Sequence, residues 1–266
     1  MSSAALGAIV GLILALTGAG GAILAVPMLL FLLHLDVAQA APIALLAVGL
    51  SAAVGAVIGL RMGVVRYRAA ALMAGAGMLC SPIGLWLAHR LPNGPLTLLF
   101  AAVLAYVAWR MFRQTAAAQP QPAVSSGPQP CQLSEDTGRF IWTAACTRAL
   151  AVSGIGAGLL SGLLGVGGGF VIVPALRRAT NAPVQSIVAT SLAVITLVSA
   201  SGVVSTAIAG QMNWRVAAPF ALGAVIGMLG GQRVARHLSG PWLQKIFSLV
   251  ATGIAIAMAA KVVHSF

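Results

Sequence analysis

Two glycine clusters are the residues whose types and spacing could do chemistry: Gly18-Ala19-Gly20-Gly21 and Gly165-Val166-Gly167-Gly168-Gly169. Each interrupts a long apolar run. A glycine turn that opens a helix presents unpaired backbone N–H groups at the positive end of the helix dipole. That combination holds an anion without any charged side chain. In lipid, irregular backbone is tolerated only where it is buried in protein or lines a cavity. The amides of Gly20, Gly21 and Ala22, and of Gly167, Gly168 and Gly169, are therefore the expected donors to a small anionic substrate. The competing reading is that these glycines only permit tight packing. Hydroxyls near the breaks add Thr17, Ser161 and the pair Thr190-Ser191 as candidate contacts. Each of these could instead be satisfied by its own helix backbone.

Other chemistries find little support. The acidic residues are Asp36, Glu135 and Asp136, and none lies inside an apolar run. Proton relays and hard cations depend on carboxylates, so their absence argues against a cation pump. His34, His89, His237 and His264 are dispersed near run ends. Cys80, Cys131 and Cys146 form no CxxC pair and read as structural or loop thiols. Gly165-Val166-Gly167 looks superficially like a dinucleotide fingerprint, but Phe170 stands where the third glycine belongs and no strand or downstream acid follows. No Ser-His-acid set, paired carboxylates or metal cluster can be assembled, so no enzyme, metal site or cofactor is expected.

The elements that must position the glycines are membrane helices. The 266 residues are 60% hydrophobic and only 7% charged, too few charges to build a water-exposed surface. The balance of 15 Lys+Arg against 3 Asp+Glu does not point to nucleic acid, because the basic residues sit singly between apolar runs. Those runs are Ala4–Leu33, Val37–Leu60, Ala69–Ala88, Pro95–Trp109, Ala144–Ala175, Val184–Ala209, Val216–Val234 and Trp242–Val263. Most are near the roughly 20 residues that a spanning helix needs. The first and fifth would each reach about 45 Å if fully helical, and these two carry the glycine clusters. Trp86, Trp109, Trp142, Trp214 and Trp242 fall at or beside run ends, where the headgroup layer favours them. The expected partners are membrane lipid and the anion. Homo-oligomerisation is left open.

The chain is an internal repeat. A shift of 147 positions brings Gly7 onto Gly154, Gly11 onto Gly158, Gly18 onto Gly165, Gly20 onto Gly167, Gly21 onto Gly168 and Pro27 onto Pro174. Such repeats are typical of secondary transporters. Residues 1–113 form the first transmembrane repeat and 144–266 the second. Residues 114–143, rich in Pro, Gln and Ser, read as a disordered linker. Ala4–Leu16 could pass for a signal peptide, but it lacks a positive start and its counterpart lies mid-chain, so it belongs to the fold. The two halves are not identical: Ala22 faces Gly169, and, with the one residue of slippage that brings Gln39 onto Gln185, Ala44-Leu45 stand where the second half has Thr190-Ser191. Glycines at four-residue spacing, such as Gly154, Gly158 and Gly162 or Gly223, Gly227 and Gly231, read as helix-packing faces.

The fold class is thus all-α and polytopic, with about four hydrophobic segments per repeat. Two topologies compete. If the broken runs span, the repeats are parallel and Lys and Arg divide 9 against 6 between the two sides. If they dip in and return as re-entrant hairpins with limbs of about 12–14 residues, the repeats are inverted and the division is 12 against 3. The positive-inside rule prefers the second, with both termini outside.

The second repeat reads Gly158-Leu-Leu-Ser-Gly-Leu-Leu-Gly-Val-Gly-Gly-Gly-Phe-Val-Ile-Val-Pro174, followed by Ala189-Thr-Ser-Leu-Ala193. The first carries a weaker form, Gly11-Leu-Ile-Leu-Ala-Leu-Thr-Gly-Ala-Gly-Gly-Ala-Ile-Leu-Ala-Val-Pro27. This resembles the TauE/SafE family of sulfite-exporter-like permeases over nearly the whole chain except the linker. The resemblance implies a multi-pass permease of the bacterial inner membrane, which moves sulfite or an organosulfonate, with export the expected direction. An inside-negative potential drives anions outward by about 2.3 kcal/mol per charge per 100 mV, so export needs no carboxylate-based coupling. Two alternatives stand beside it: a cation or metal permease, and a membrane scaffold or assembly factor that carries no flux.

Overall fold

The computed structural model describes residues 2–116, 131, 142–210, 212–235 and 249–258. Its helices are α1 (Ser2–Thr17), α2 (Ala25–Leu32), α3 (Val37–Arg61), α4 (Tyr67–Arg90), α5 (Asn93–Ala116), α6 (Ala144–Leu164), α7 (Gly169–Ala179), α8 (Val184–Ile208), α9 (Trp214–Ala235) and α10 (Leu249–Met258). A 3-10 stretch, Gly18–Leu24, joins α1 to α2. Among the described residues there is no named strand, only an isolated bridge between Cys131 and Thr180. Five helices, α3, α4, α6, α8 and α9, are long and apolar enough to cross a membrane, and α1, α5 and α10 are shorter apolar helices in their described parts. Leu79 and Ile83 on α4, Val152 on α6 and Leu222 and Ile226 on α9 are exposed. Such a belt would associate in water and is at rest in lipid. The chain is an all-α multi-pass membrane protein.

Small residues decide which helices meet. On α1, Gly7 rests against the backbone of Phe220 and Gly11 against that of Ala224; on α9, Gly223 rests on Ala4 and Gly227 on Ala8. On α6, Gly154 rests on Met73, Gly158 on Gly77 and Gly162 on Ser81 of α4. Any side chain at these glycines would drive into main chain, so glycine alone lets the axes approach this closely. Numbers rise together along both seams, so α1 runs parallel to α9 and α6 parallel to α4. The two seams also match each other: shifting Gly7 and Phe220 by the repeat length lands on Gly154 and Met73, and Gly11 and Ala224 land on Gly158 and Gly77.

The matched helices α3 and α8 pack against each other at the centre. Gly49 faces Ser199, Gly55 faces Leu192, Gly59 faces Ala189 and Gly202 faces Leu45, so this pair is antiparallel. The halves therefore run in opposite senses and exchange partners, each outer helix packing on the other half.

Both broken runs turn back on themselves. A methyl placed on Gly168 would lie 2.7 Å from the carbonyl oxygen of Ala157, although eleven helical residues would separate them by about 16 Å. The amide of Cys131 donates to Ala179 O at 3.0 Å, and Cys131 is bridged to Cys146, so the end of α7 lies beside the start of α6. In the first half, a methyl on Gly21 would lie 2.7 Å from the amide nitrogen of Leu14. The limbs differ from the expected 12–14 residues: α1 has 16 and α6 has 21, whereas α2 has 8 and α7 has 11. The glycines fall late in each run, and the long seams with α9 and α4 keep the outer limbs helical. Of the expected linker, residues 114–116 continue α5 and Cys131 is fixed; residues 117–130 and 132–141 lie outside the described residues.

Charge is unequal between the two ends. The Ser186 hydroxyl donates to Val64 O at 2.6 Å, placing the start of α8 beside the α3–α4 loop. With the seams above, this puts Arg61, Arg66, Arg68, Arg148, Arg177, Arg178 and Arg233 at one end, and Arg90 and Arg215 at the other. Arg90 is held over the Trp86 ring at 4.3 Å from its centroid.

Candidate substrate site

The second glycine break is a left-handed turn buried at mid-height. Helix α6 starts on Thr143, whose hydroxyl accepts the Cys146 amide at 3.1 Å, and closes at Gly165, whose amide donates to Ser161 O at 2.8 Å. Gly165 has φ 71°, Gly167 φ 70° and Gly168 φ 70°. An L side chain costs roughly 1–2 kcal/mol in that region. A methyl on Gly167 would also lie 2.9 Å from Ile195 Cγ2, 3.0 Å from Val48 Cγ1 and 3.3 Å from Ser199 Oγ. Val48 and Ile195 are near the middles of α3 and α8, which fixes the height of the turn. Helix α7 then begins: the Val171 and Ile172 amides both donate to Gly168 O, at 3.0 and 3.1 Å. Among the described residues, the amides of Gly167, Gly168 and Gly169 donate to no backbone carbonyl. These donors sit at the positive end of α7 in a buried setting, where an anion would be held most strongly.

The first break is different. Gly20, Gly21 and Ala22 lie in the 3-10 helix Gly18–Leu24, a right-handed form that pairs amides along its own length. Gly20 and Gly21, which match Gly167 and Gly168 in sequence, therefore take another backbone state. Ala22 is buried, as are Gly167, Gly168 and Gly169 of the second break.

The four candidate hydroxyls divide in the same way. Thr17 donates to Ile13 O at 2.7 Å and Ser191 to Val188 O at 2.7 Å. Thr190 accepts the Arg66 amide at 3.0 Å, so it ties α8 to the α3–α4 loop at the arginine-rich end, away from the turn. Ser161, by contrast, is fully buried at the last turn of α6, and among the described residues its hydroxyl has no hydrogen-bond partner. Three more hydroxyls share that state and were not singled out from the sequence: Ser51, Ser81 and Ser199. The signal for them was available, since each stands where the other half has an apolar residue.

A match to the sulfite exporter TauE/SafE family model spans residues 3–258. The chain belongs to that family. A probable membrane transporter protein of Xylella fastidiosa (strain Temecula1 / ATCC 700964) is 29% identical over 257 residues, covering 94% of this chain and 91% of that one. The probable membrane transporter protein YunE of Bacillus subtilis (strain 168) is 37% identical over 93 residues, 35% of this chain and 34% of its own. The probable membrane transporter protein MamO of Magnetospirillum gryphiswaldense (strain DSM 6361 / JCM 21280 / NBRC 15271 / MSR-1) is 32% identical over 120 residues, 42% of this chain and 19% of its own. No solved structure matches the chain. As a TauE/SafE member built from apolar helices, the protein is a membrane transporter.

Proposed function

We propose that the protein is a permease for a small oxyanion, sulfite or an organosulfonate, which it exports across the bacterial inner membrane. The observation that carries this reading is the buried second turn, where the amides of Gly167, Gly168 and Gly169 head α7 at mid-height and, among the described residues, donate to no backbone carbonyl. Alternating access in inverted-repeat transporters pivots around a site at that depth. The arginine-rich end faces the cytoplasm and the start of α1 faces outward. The donors are uncharged, so the site offsets one negative charge far better than two and takes a monoanion. Export runs down the membrane potential, and the absence of carboxylates from the apolar runs is compatible with that. The test is flux of labelled sulfite into proteoliposomes under an inside-positive potential. Gly168→Val, which forces a branched side chain into a left-handed position, abolishes saturable flux while membrane expression persists. Normal transport by that variant would remove the turn from the mechanism.

A further inference from the structure

Hydroxyls in this bundle have a default partner. Thr17, Thr97, Ser153, Thr196, Ser205 and Thr206 all donate to the carbonyl four residues back. This is how Ser and Thr ordinarily settle in apolar helices. Ser51, Ser81, Ser161 and Ser199 do not follow it: all are 0% exposed, and among the described residues their hydroxyls have no partner. A buried hydroxyl left unpaired is costly, and a ligand that accepts from it removes that cost.

Three of these serines, on α4, α6 and α8, are tied by packing to the second hairpin. The Ser199 hydroxyl would lie 3.3 Å from a methyl on Gly167, so it is aimed at the turn. The Ser81 hydroxyl would lie 3.2 Å from a methyl on Gly202, one helical step along α8 from Ser199. Ser161 is on the last turn of α6, next to Gly162, which rests on the backbone of Ser81.

The repeat shows that this polarity is one-sided. At the same shift, Ser81 corresponds to Met228, Ser161 to Leu14, Ser199 to Ala52 and Ser51 to Val198. All four counterparts are buried and apolar. At these positions the first hairpin has apolar counterparts to the hydroxyls around the second.

We propose that Ser81, Ser161 and Ser199 donate hydrogen bonds to the oxygens of the transported oxyanion, completing a single site at the second hairpin. The first hairpin serves as its scaffold. This rests on the permease reading above and adds to it the side chains and the count of sites. An oxyanion with three acceptor oxygens suits such a set: amides of Gly167–Gly169 take one side, and hydroxyls from α4, α6 and α8 take the others.

The test uses the full chain in proteoliposomes with labelled sulfite, and methanesulfonate as competitor. Ser199→Ala, Ser81→Ala and Ser161→Ala each raise the sulfite KM by about tenfold, the size expected for one charge-assisted hydrogen bond. Their maximal rates stay near wild type and their melting temperatures do not fall, because no intramolecular bond is lost. Ser199→Thr keeps the hydroxyl and restores KM. Thr17→Val, at the first hairpin, leaves KM unchanged. Wild-type KM in all three alanine variants, with Gly168→Val still inactive, overturns the hydroxyl set and leaves the turn standing. A KM rise in Thr17→Val as large as that in Ser199→Ala overturns the single-site assignment. A wild-type chain that carries no anion overturns both readings.

Discussion

Gly168 and Thr190 were candidates for the same task, and the fold gives them different ones. Gly168 holds a left-handed backbone against Ala157, while Thr190 holds the Arg66 amide at the end of the bundle. Replacing Thr190 by Val removes that part-buried bond, which costs about 1 kcal/mol. The expected result is a lower melting temperature with an unchanged sulfite KM; a raised KM at unaltered stability would return Thr190 to the substrate. The uncharged donor set makes a second claim. Sulfite shifts from one charge to two as pH rises through neutrality, whereas methanesulfonate keeps one. At fixed total concentration and clamped potential, sulfite flux falls with rising pH and methanesulfonate flux stays level. Sulfite flux that climbs with pH would contradict a monoanion site. Residue type and spacing made the glycine turn legible in sequence, since only a glycine cluster breaks such a run twice at matching positions. The serines were not legible. Ser199 and Thr196 are alike as letters in an apolar run, yet one is unpaired and the other bonds to Leu192. Only the packing of α3, α4 and α8 separates them.

Helix α6 carries two glycines that test the seams independently of transport. Gly158 rests on the backbone of Gly77, whereas a methyl on Gly156 would meet nothing within 4 Å. Gly158→Ala wedges α6 from α4 and costs about 1–3 kcal/mol. Gly156→Ala is neutral or stabilises by up to about 1 kcal/mol through helix propensity. Thermal unfolding in detergent reads both, and equal effects at the two positions would mean the seam does not hold α6. Element positions followed closely from the apolar runs: Val37–Leu60 became α3 and Val184–Ala209 became α8, each within a residue or so. Limb lengths did not follow. Apolar content is the same on both sides of a turn, so hydropathy places the break without saying where each limb finds its partner. The partner of α6 is α4, from the other half, and that pairing sets its length.

Viewed as a whole, the molecule has an arginine-rich end and an arginine-poor one, and orientation can be tested directly. In a cysteine-free background, Asn93→Cys at the poor end is labelled from outside intact cells by an impermeant maleimide, and Gln185→Cys at the rich end is not. The reverse pattern would invert the transporter and its expected direction. Cys131 and Cys146 supply a second check, because they lie at the arginine-rich end. The closed bridge is the oxidised form; with that end in the cytoplasm, the reducing pool opens it in living cells, and alkylation before lysis captures both thiols. A bridge already closed in intact cells would put this end in an oxidising compartment and overturn the orientation. The exchanged seams bear on how the chain is made. Helix α1 leaves the ribosome well before α9, yet its glycine groove fits α9, so Gly7 and Gly11 wait for residues 220–224 to be synthesised. Contacts so distant in sequence close late and leave surfaces open meanwhile. A second nascent chain offers the same grooves in the same order. Domain-swapped dimers, with α1 of one copy seated on α9 of another, are the misassembly this fold invites.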